Sequence, residues 1–350
     1  MKAFRSLCAL ILALVLLFSL VGCGGYPAVK SSKEEKATVL TLGGKYDVSY
    51  ELYRFCFLSE LALSEEDPSK MSEGERAEFF SVINQRTVEE LATIYAVLAY
   101  CDKYGINING RTFDKHVKEG VVSAVEGDET YIGYGGYDEY LAAIKENNMN
   151  DSVFRFLLRY QCAEATLAAH MRDEGILNSD ESTVLAYMNS DECVRASWIY
   201  ISYNLLPNYT DAMLSDLAAE AKAADNDGFL FMTHRVFPEI YTDAQLDTGF
   251  YIGRYQLDPY YEALTETVFS LEMGETSDWI HSGDGMYLVR RLPKDESYLN
   301  NDANLGDFTE YYLLNEFYRL LATEADRLVT TVTYTDVHAS LNFETVKMPD

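Results

Sequence analysis

The sequence predicts an α+β protein, in which a mostly helical domain contains an inserted domain of strands and helices. Between residues 50 and 175, apolar side chains recur every three or four residues, as they do in core-facing helices. Between residues 191 and 297, the pattern changes to β-α-α-β-α-β in about 100 residues. A last helical stripe begins near residue 305 and requires a partner surface, for which the helices before residue 190 are the obvious candidate.

The N-terminal residues are typical of an export signal. Two basic residues precede an apolar run from Leu7 to Leu20, which is too short to cross roughly 30 Å of hydrocarbon as a helix. The run ends in Leu20-Val21-Gly22-Cys23, which resembles the lipobox of bacterial lipoproteins. This resemblance implies that Cys23 receives a diacylglycerol and becomes the new N-terminus after cleavage. Because two acyl chains anchor a protein stably, we predict an extracytoplasmic protein that is held on the outer face of a membrane.

Residues 1–22 are therefore assigned to the signal peptide and are excluded from the folded part. Residues 23–36 are predicted to form a flexible tether between the lipid and the first domain, with a root-mean-square span of roughly 20 Å.

The charge of the chain excludes nucleic acid as a partner. The sequence contains 56 acidic and 28 basic residues, which gives a formal net charge of −28. A surface of this kind repels phosphate backbones and anionic lipid headgroups, and it favours solubility. The abundance of aromatic residues, with 27 Tyr and 17 Phe, argues against disorder.

The helical domain is predicted over residues 37–190, and it opens with a β-hairpin. Gly43 and Gly44 form the turn, and Tyr46 to Val48 form the return strand. Ser49 is suited to cap the helix that follows.

The next helix has the clearest start, because Ser72 and Glu75 form a capping box. Its core-facing stripe has spacings of three, four and three, and consists of Leu91, Ile94, Leu98 and Cys101. Further helices are predicted up to Met171.

The inserted domain is predicted over residues 191–297. Its elements are a strand from Val194 to Ser202, a helix after Thr210, a helix from Phe229 to Val236, an extended segment from Gly249 to Tyr255, a helix from Tyr260 to Phe269 and a strand from Met286 to Arg291. Residues 298–350 are predicted to return to the helical domain as a helix and a strand from Val332 to Leu341.

Two parts of the sequence resemble the PrsA and SurA foldases. The segment TVLTLGGKYDVSYELYRF, the helices after it and the late C-terminal helix are similar to the chaperone domain of that group. Residues 194–291 resemble a parvulin-type peptidyl-prolyl isomerase domain. VRASWIYIS matches its first strand, TGFYIGRY its middle strand and FSLEMGETSDWIHSGDGMYLVRRL its closing segment. The similar segments cover most of residues 37–341.

The parvulin-like segment departs from the family at its site. Parvulins place one histidine on the first strand and another on the last, whereas these positions hold Trp198 and Tyr287 here. Ser282 matches the family's hydroxyl position before the closing strand. An apolar slot of Trp198, Leu264 and Phe269 is nevertheless suited to a prolyl ring. We therefore predict that these three side chains contact substrate, and that isomerase activity is weak or absent.

The resemblance implies a membrane-anchored foldase or chaperone that binds unfolded, newly exported polypeptides and requires no cofactor. Two other functions stay open on the sequence alone. One is an active parvulin-type peptidyl-prolyl cis-trans isomerase. The other is an envelope lipoprotein that binds a small ligand or has a structural role.

The cysteines and histidines predict no metal site. Four cysteines follow Cys23 without a C-x-x-C pair, at positions Cys56, Cys101, Cys162 and Cys193. The apolar pattern around the first three favours buried free thiols, although an exported protein can also form a disulfide. The five histidines lack the spacing of a zinc site.

Overall fold

The computed structural model describes residues 25–64, 66–128, 132–236, 243–255, 262–282 and 285–348. The predicted signal peptide and Cys23 lie outside the described residues. The predicted α+β class is confirmed, because helices predominate and the strands form two small antiparallel sheets. Among the described residues, no helix combines the length and apolarity needed to cross a bilayer.

The described chain divides into two compact units. The first contains the described residues of Met1–Asp173 and Leu320–Asp350, and the second contains those of Glu174–Arg319. The elements before residue 174 are β1 (Thr38–Leu42), β2 (Tyr46–Ser49), α1 (Tyr50–Leu63), α2 (Glu73–Lys103), α3 (Arg111–Glu126), α4 (Tyr137–Glu146) and α5 (Asp151–Asp173).

The elements after residue 173 begin in the second unit and end in the first. They are α6 (Glu181–Asn189), β3 (Cys193–Ser202), α7 (Asp211–Ala223), α8 (Asn226–Val236), α9 (Asp243–Thr248), β4 (Phe250–Gly253), α10 (Glu262–Ser270), β5 (Ile280–Ser282), β6 (Gly285–Leu292), α11 (Asp302–Val329), β7 (Thr333–Tyr334) and α12 (Asp336–Ala339). Short 3₁₀ turns occur at Pro68–Lys70, Leu206–Asn208 and Glu296–Asn300.

The first sheet joins the two ends of the chain, in the order β2-β1-β7. Leu40 of β1 lies opposite Val48 of β2 on one side and Tyr334 of β7 on the other. The predicted C-terminal strand is shorter than expected, because only Thr333 and Tyr334 pair with β1 before the chain turns into α12.

Local signals in the sequence explain the start and the buried face of α2. The Ser72 N–H donates to Glu75 Oε2 at 2.8 Å, and the Glu75 N–H donates to Ser72 Oγ at 3.4 Å, which completes the predicted capping box. The four residues of the predicted stripe, Leu91, Ile94, Leu98 and Cys101, are all buried.

Residues 25–36, which we call the N-terminal arm, lie against α3, α4 and α5. The Tyr26 hydroxyl donates to Glu126 Oε1 at 2.8 Å, and its ring stacks on Tyr137 with the centroids 5.0 Å apart. The Val29 N–H donates to Asp151 Oδ2 at 2.8 Å. The arm therefore differs from the predicted flexible tether, because partners far away in the chain hold its backbone and its aromatic ring.

The second unit is built on a sheet in the order β4-β3-β6-β5, in which neighbouring strands are antiparallel. Alternate residues of the strands pack on opposite faces. On one face, Leu264 of α10 packs with β3 and β6. On the other face, Phe229 of α8 packs with Ile199 of β3 and Leu288 of β6.

The second unit is larger than the predicted insert of 191–297. It also includes α6 and the first part of α11, since aromatic side chains join them to the sheet. The ring of Tyr187 lies 4.9 Å from that of Tyr312, and the ring of Phe308 lies 5.3 Å from that of Tyr251. The predicted insert of 191–297 thus lies within a larger compact unit, which runs from Glu174 to Arg319.

Candidate substrate-binding site

The structure brings the predicted slot residues of the second unit together in one cluster. In the pairing of β3 with β6, Trp198 lies opposite Val289 and Tyr200 lies opposite Tyr287. Leu264 of α10 belongs to the same cluster, and Phe269 is partly buried against it. Trp198 and Phe269 are 71 positions apart in the sequence, so their proximity depends on the fold of the sheet.

The interior of this cluster is filled by its own aromatic rings. Trp198 is 9% exposed and stacks on Phe250, with the ring centroids 4.1 Å apart. Leu264 is buried, and the ring of Tyr287 lies 4.8 Å from that of Tyr200. Contact between a substrate and Trp198 or Leu264 would therefore require these side chains to move.

The edge of the cluster is more accessible than its interior. The guanidinium of Arg254 lies 4.3 Å from the centre of the Phe269 ring, in a cation–π contact. Arg254 also forms an ion pair with Glu192, in which Nε lies 3.3 Å from Oε2. Phe269 is thus covered on one face by a charged side chain.

Two polar residues lie at the other end of the same sheet. The exposed His281 is on β5, and its Nδ1 lies 3.3 Å from the Tyr203 hydroxyl. The backbone of Ser282 pairs with Gly285, but its side chain lies outside the described residues. Among the described members of the cluster, every side chain is aliphatic or aromatic, and none is an imidazole or a carboxyl. The cluster therefore supplies apolar contact but no general acid or base other than the phenols.

The four cysteines that the structure describes are free thiols. Cys56, Cys101 and Cys193 are buried, and Cys162 is partly buried. Burial raises the pKa of Cys101 and of Cys193 to about 12, so both thiols stay protonated and unreactive at neutral pH. In the part of the chain that the structure describes, no three His, Cys, Asp or Glu side chains come together in a way that would hold a metal ion.

A cavity of about 360 Å³ lies in the first unit, away from the predicted residues. Four of its charged side chains are already paired, since Lys45 Nζ lies 2.7 Å from Asp102 Oδ2 and Arg327 contacts Glu324 through two hydrogen bonds, while the fifth, Lys103, lies over the ring of Tyr100. Its lining is Lys45, Tyr46, Ala99, Tyr100, Asp102, Lys103, Glu324 and Arg327. These ion pairs leave little charge to offer a ligand.

The first unit also has an aromatic surface that the motifs do not identify. The rings of Phe80 and Phe343 meet edge to face, with the centroids 5.3 Å apart. Phe79 stacks on Phe343 at 5.7 Å, and all three rings are only partly buried. Val82, which is 45% exposed, lies one turn after Phe79 on α2. We call Phe79, Phe80, Val82 and Phe343 the aromatic surface.

The sequence gives only a weak signal for the aromatic surface. The adjacent Phe79 and Phe80 stand out in α2, but Phe343 comes from a tail that no periodic pattern connects to them. The 27 Tyr and 17 Phe of the sequence do not by themselves single out any group of rings. The rings that are grouped here are Phe, whereas several tyrosines, such as Tyr53 and Tyr140, are buried.

Comparison with known proteins returns matches among solved structures. No protein-family model matches the sequence, and no curated protein matches it. A peptidylprolyl isomerase (PrsA) from Bacillus anthracis is 15% identical, with a TM-score of 0.26, and the match covers 68% of this chain and 96% of that one. The foldase protein PrsA from Streptococcus pneumoniae is 12% identical, with a TM-score of 0.30, and the match covers 73% and 88%.

A SurA-like chaperone from Campylobacter jejuni also matches. It is 14% identical, with a TM-score of 0.23, and the match covers 85% of this chain and 99% of that one. These three proteins come from the group that the sequence motifs resemble.

Proposed function

We propose that this chain is a lipid-anchored extracytoplasmic chaperone, which binds unfolded exported polypeptides on the aromatic surface of its first unit. The observation that carries the proposal is the grouping of Phe79, Phe80 and Phe343 at the surface of a chain with a net charge of −28. Aromatic rings contribute large contact areas at low entropic cost, and they are enriched where proteins bind other chains. The strong net charge keeps such a chaperone soluble despite the partly exposed rings.

The contacts of the aromatic surface leave it open to a client. Phe80 also contacts Phe57, whose ring centroid lies 5.0 Å away and which is buried, so the surface is anchored to the core. Arg76 of α2 pairs with Glu344, which holds the C-terminal segment beside the rings. A client would meet a rigid apolar surface with a polar border, which is the usual anatomy of a binding site for another chain.

The isomerase alternative has less support. Trp198 and Leu264 are buried, and the cluster around them contains no imidazole. Twisting a prolyl amide requires a pocket that admits the ring, and these side chains occupy that space. We therefore infer that the second unit contributes to binding or spacing more than to catalysis.

Substitutions on the aromatic surface test the client site. We expect Phe79→Ser combined with Val82→Ser to weaken binding of an unfolded test protein by about five- to thirty-fold, since roughly 1–2 kcal/mol of apolar contact is lost. The measurement is the amount of protein needed to delay aggregation of the test protein, with circular dichroism to confirm folding.

The matched control for this test is Phe231→Ser in the second unit, where the native ring is 71% exposed. It should leave the anti-aggregation effect unchanged. Equal losses in both variants would argue against a defined client surface. Rapid proline isomerisation by the unmodified protein, abolished by Leu264→Ala, would instead support the enzyme alternative.

The lipid anchor is tested by Cys23→Ala. Because the lipobox predicts that the thiol of Cys23 carries the diacylglycerol, the variant should move from the membrane to the soluble fraction or remain uncleaved. The measurement is detergent partitioning of cell fractions. A cleaved variant that still partitions with detergent would rule out this mode of anchoring.

A further inference from the structure

We propose that one face of the first unit lies against the lipid bilayer, namely the face formed by Tyr26 to Val29 of the N-terminal arm and by Ile132. The inference rests on the proposed lipidation of Cys23 and goes beyond it, because it assigns a membrane-facing surface to the folded protein. The occupant of this surface is the headgroup region of the membrane that holds the lipid.

The arm is fixed to the first unit close to the predicted lipid site. Arg155 Nη2 donates to the carbonyl oxygen of Tyr26 at 3.1 Å, and the Tyr137 hydroxyl donates to that of Pro27 at 2.5 Å. Together with the Tyr26–Tyr137 stack and the bond from Val29 to Asp151, these contacts hold both the backbone and the side chains of the arm.

The distance from the lipid to the fixed part of the arm is short. Tyr26 is three positions after Cys23, and three extended residues span at most about 11 Å. The headgroup layer on each side of a bilayer is itself about 5–7 Å thick. A lipidated Cys23 therefore keeps Tyr26 at or near the headgroups, whereas a tether of 14 free residues would not.

The side chains around Tyr26 suit a bilayer surface. Ile132 is 95% exposed and Val29 is 48% exposed, and Pro27 and Ala28 are also exposed. Tyr134 N–H donates to Ala124 O at 2.9 Å, which ties the segment that follows Ile132 to the end of α3. The last residue of α3, Glu126, accepts the hydrogen bond from Tyr26. An isoleucine in this position would insert among headgroups and acyl chains.

The charges of the arm are compatible with this placement. Three lysines, Lys30, Lys33 and Lys36, are exposed on the arm together with one acidic residue, Glu34. Glu35 instead pairs with Arg54, whose Nη2 lies 3.3 Å from Oε1. The arm thus presents basic side chains in an otherwise acidic protein, which reduces repulsion from anionic lipid.

The test uses the full lipidated protein in phosphatidylcholine vesicles whose acyl chains carry bromine, which quenches nearby indoles. The native protein already fluoresces through Trp198 and Trp279, so the signal of interest is the additional fluorescence of Ile132→Trp. We expect this additional fluorescence to be roughly twofold lower in the brominated vesicles than in unbrominated ones. Val82→Trp, which places an indole on the aromatic surface at another exposed apolar position, should lose little fluorescence.

Release of the arm separates this inference from the anchor itself. Tyr26→Ala removes the stack on Tyr137 and the bond to Glu126, so it should reduce the quenching of Ile132→Trp while the protein stays in the membrane fraction. With Tyr26 in place, membrane-bound Ile132→Trp that is not quenched would overturn the membrane-facing surface and leave the lipid anchor intact. Equal quenching of Ile132→Trp and Val82→Trp would do the same. Membrane binding that does not depend on Cys23 would overturn both.

Discussion

Replacement of Asp151 by Ala is expected to destabilise the first unit by about 3–5 kcal/mol and to release the N-terminal arm. Asp151 is buried at the start of α5 and accepts three hydrogen bonds, each 2.8 Å long. The donors are the Val29 N–H, the Tyr140 hydroxyl and Arg155 Nε. Without the carboxylate, the charge of Arg155, the buried Tyr140 hydroxyl and the partly buried Val29 N–H would lose their partner.

The hydroxyl of Tyr140 strengthens this expectation. Burial, and then the negative charge of Asp151, raises the pKa of Tyr140 well above its usual value, so the phenol stays protonated and remains a donor. Asp151→Asn keeps an oxygen that can accept but removes the charge that Arg155 pairs with. It should therefore destabilise the unit less than Asp151→Ala does.

Two measurements check the Asp151 prediction. Urea unfolding should report the loss of stability, and hydrogen exchange at Val29 should report release of the arm. Asp138→Ala is the matched control, because Asp138 is in the first turn of α4 but is exposed. It should change stability by less than about 1 kcal/mol. Continued protection of Val29 in Asp151→Ala would show that other contacts hold the arm.

Replacement of Glu90 by Gln is expected to stabilise the protein, and to do so increasingly as the pH rises. Glu90 of α2 is buried in the first unit, as are Glu60 and Cys56 of α1. Burial, and then the charge of Glu60, raises the pKa of Glu90 well above its usual 4.5. Glu90 therefore keeps a proton in the folded protein at a pH at which the unfolded chain has lost it.

The sign of the pH effect follows from this difference in bound protons. Above pH 4.5 the folded state binds more protons than the unfolded state, so Glu90 lowers the free energy of unfolding as the pH rises towards its raised pKa. The slope is at most about 1.4 kcal/mol per pH unit for one group. Gln has no proton to lose, so Glu90→Gln removes this contribution and should melt higher than the native protein at pH 7.

Unfolding curves at pH 5, 6, 7 and about 8 would measure this effect, with the range chosen to bracket neutral pH. The difference in stability between Glu90→Gln and the native protein should widen at each step. Glu78→Gln serves as the control, because Glu78 is an exposed residue of the same helix, and its effect should stay within about 0.5 kcal/mol. A constant difference for Glu90→Gln across this range would mean that Glu90 is not the titrating group.

The sequence by itself determined the features that depend on neighbouring residues. The α+β class, the hairpin at Gly43 and Gly44, and the capping box of Ser72 and Glu75 all follow from spacings of a few positions. Such signals are local, because helix caps and turns are formed by residues within one or two turns of chain. The motifs around Trp198 and Tyr287 likewise placed the two residues on paired strands, as the structure has them.

Only the tertiary structure decided which distant groups meet and what they leave accessible. Composition suggested a free tether for residues 23–36, but Asp151 and Tyr137, more than 100 positions away, hold the arm. The sequence predicted that Trp198 lines an apolar slot, but in the structure the Trp198 ring is buried and stacks on Phe250. Phe343 joins Phe79 and Phe80 across more than 250 positions. No periodic pattern encodes these contacts, because they depend on how complete helices and strands pack.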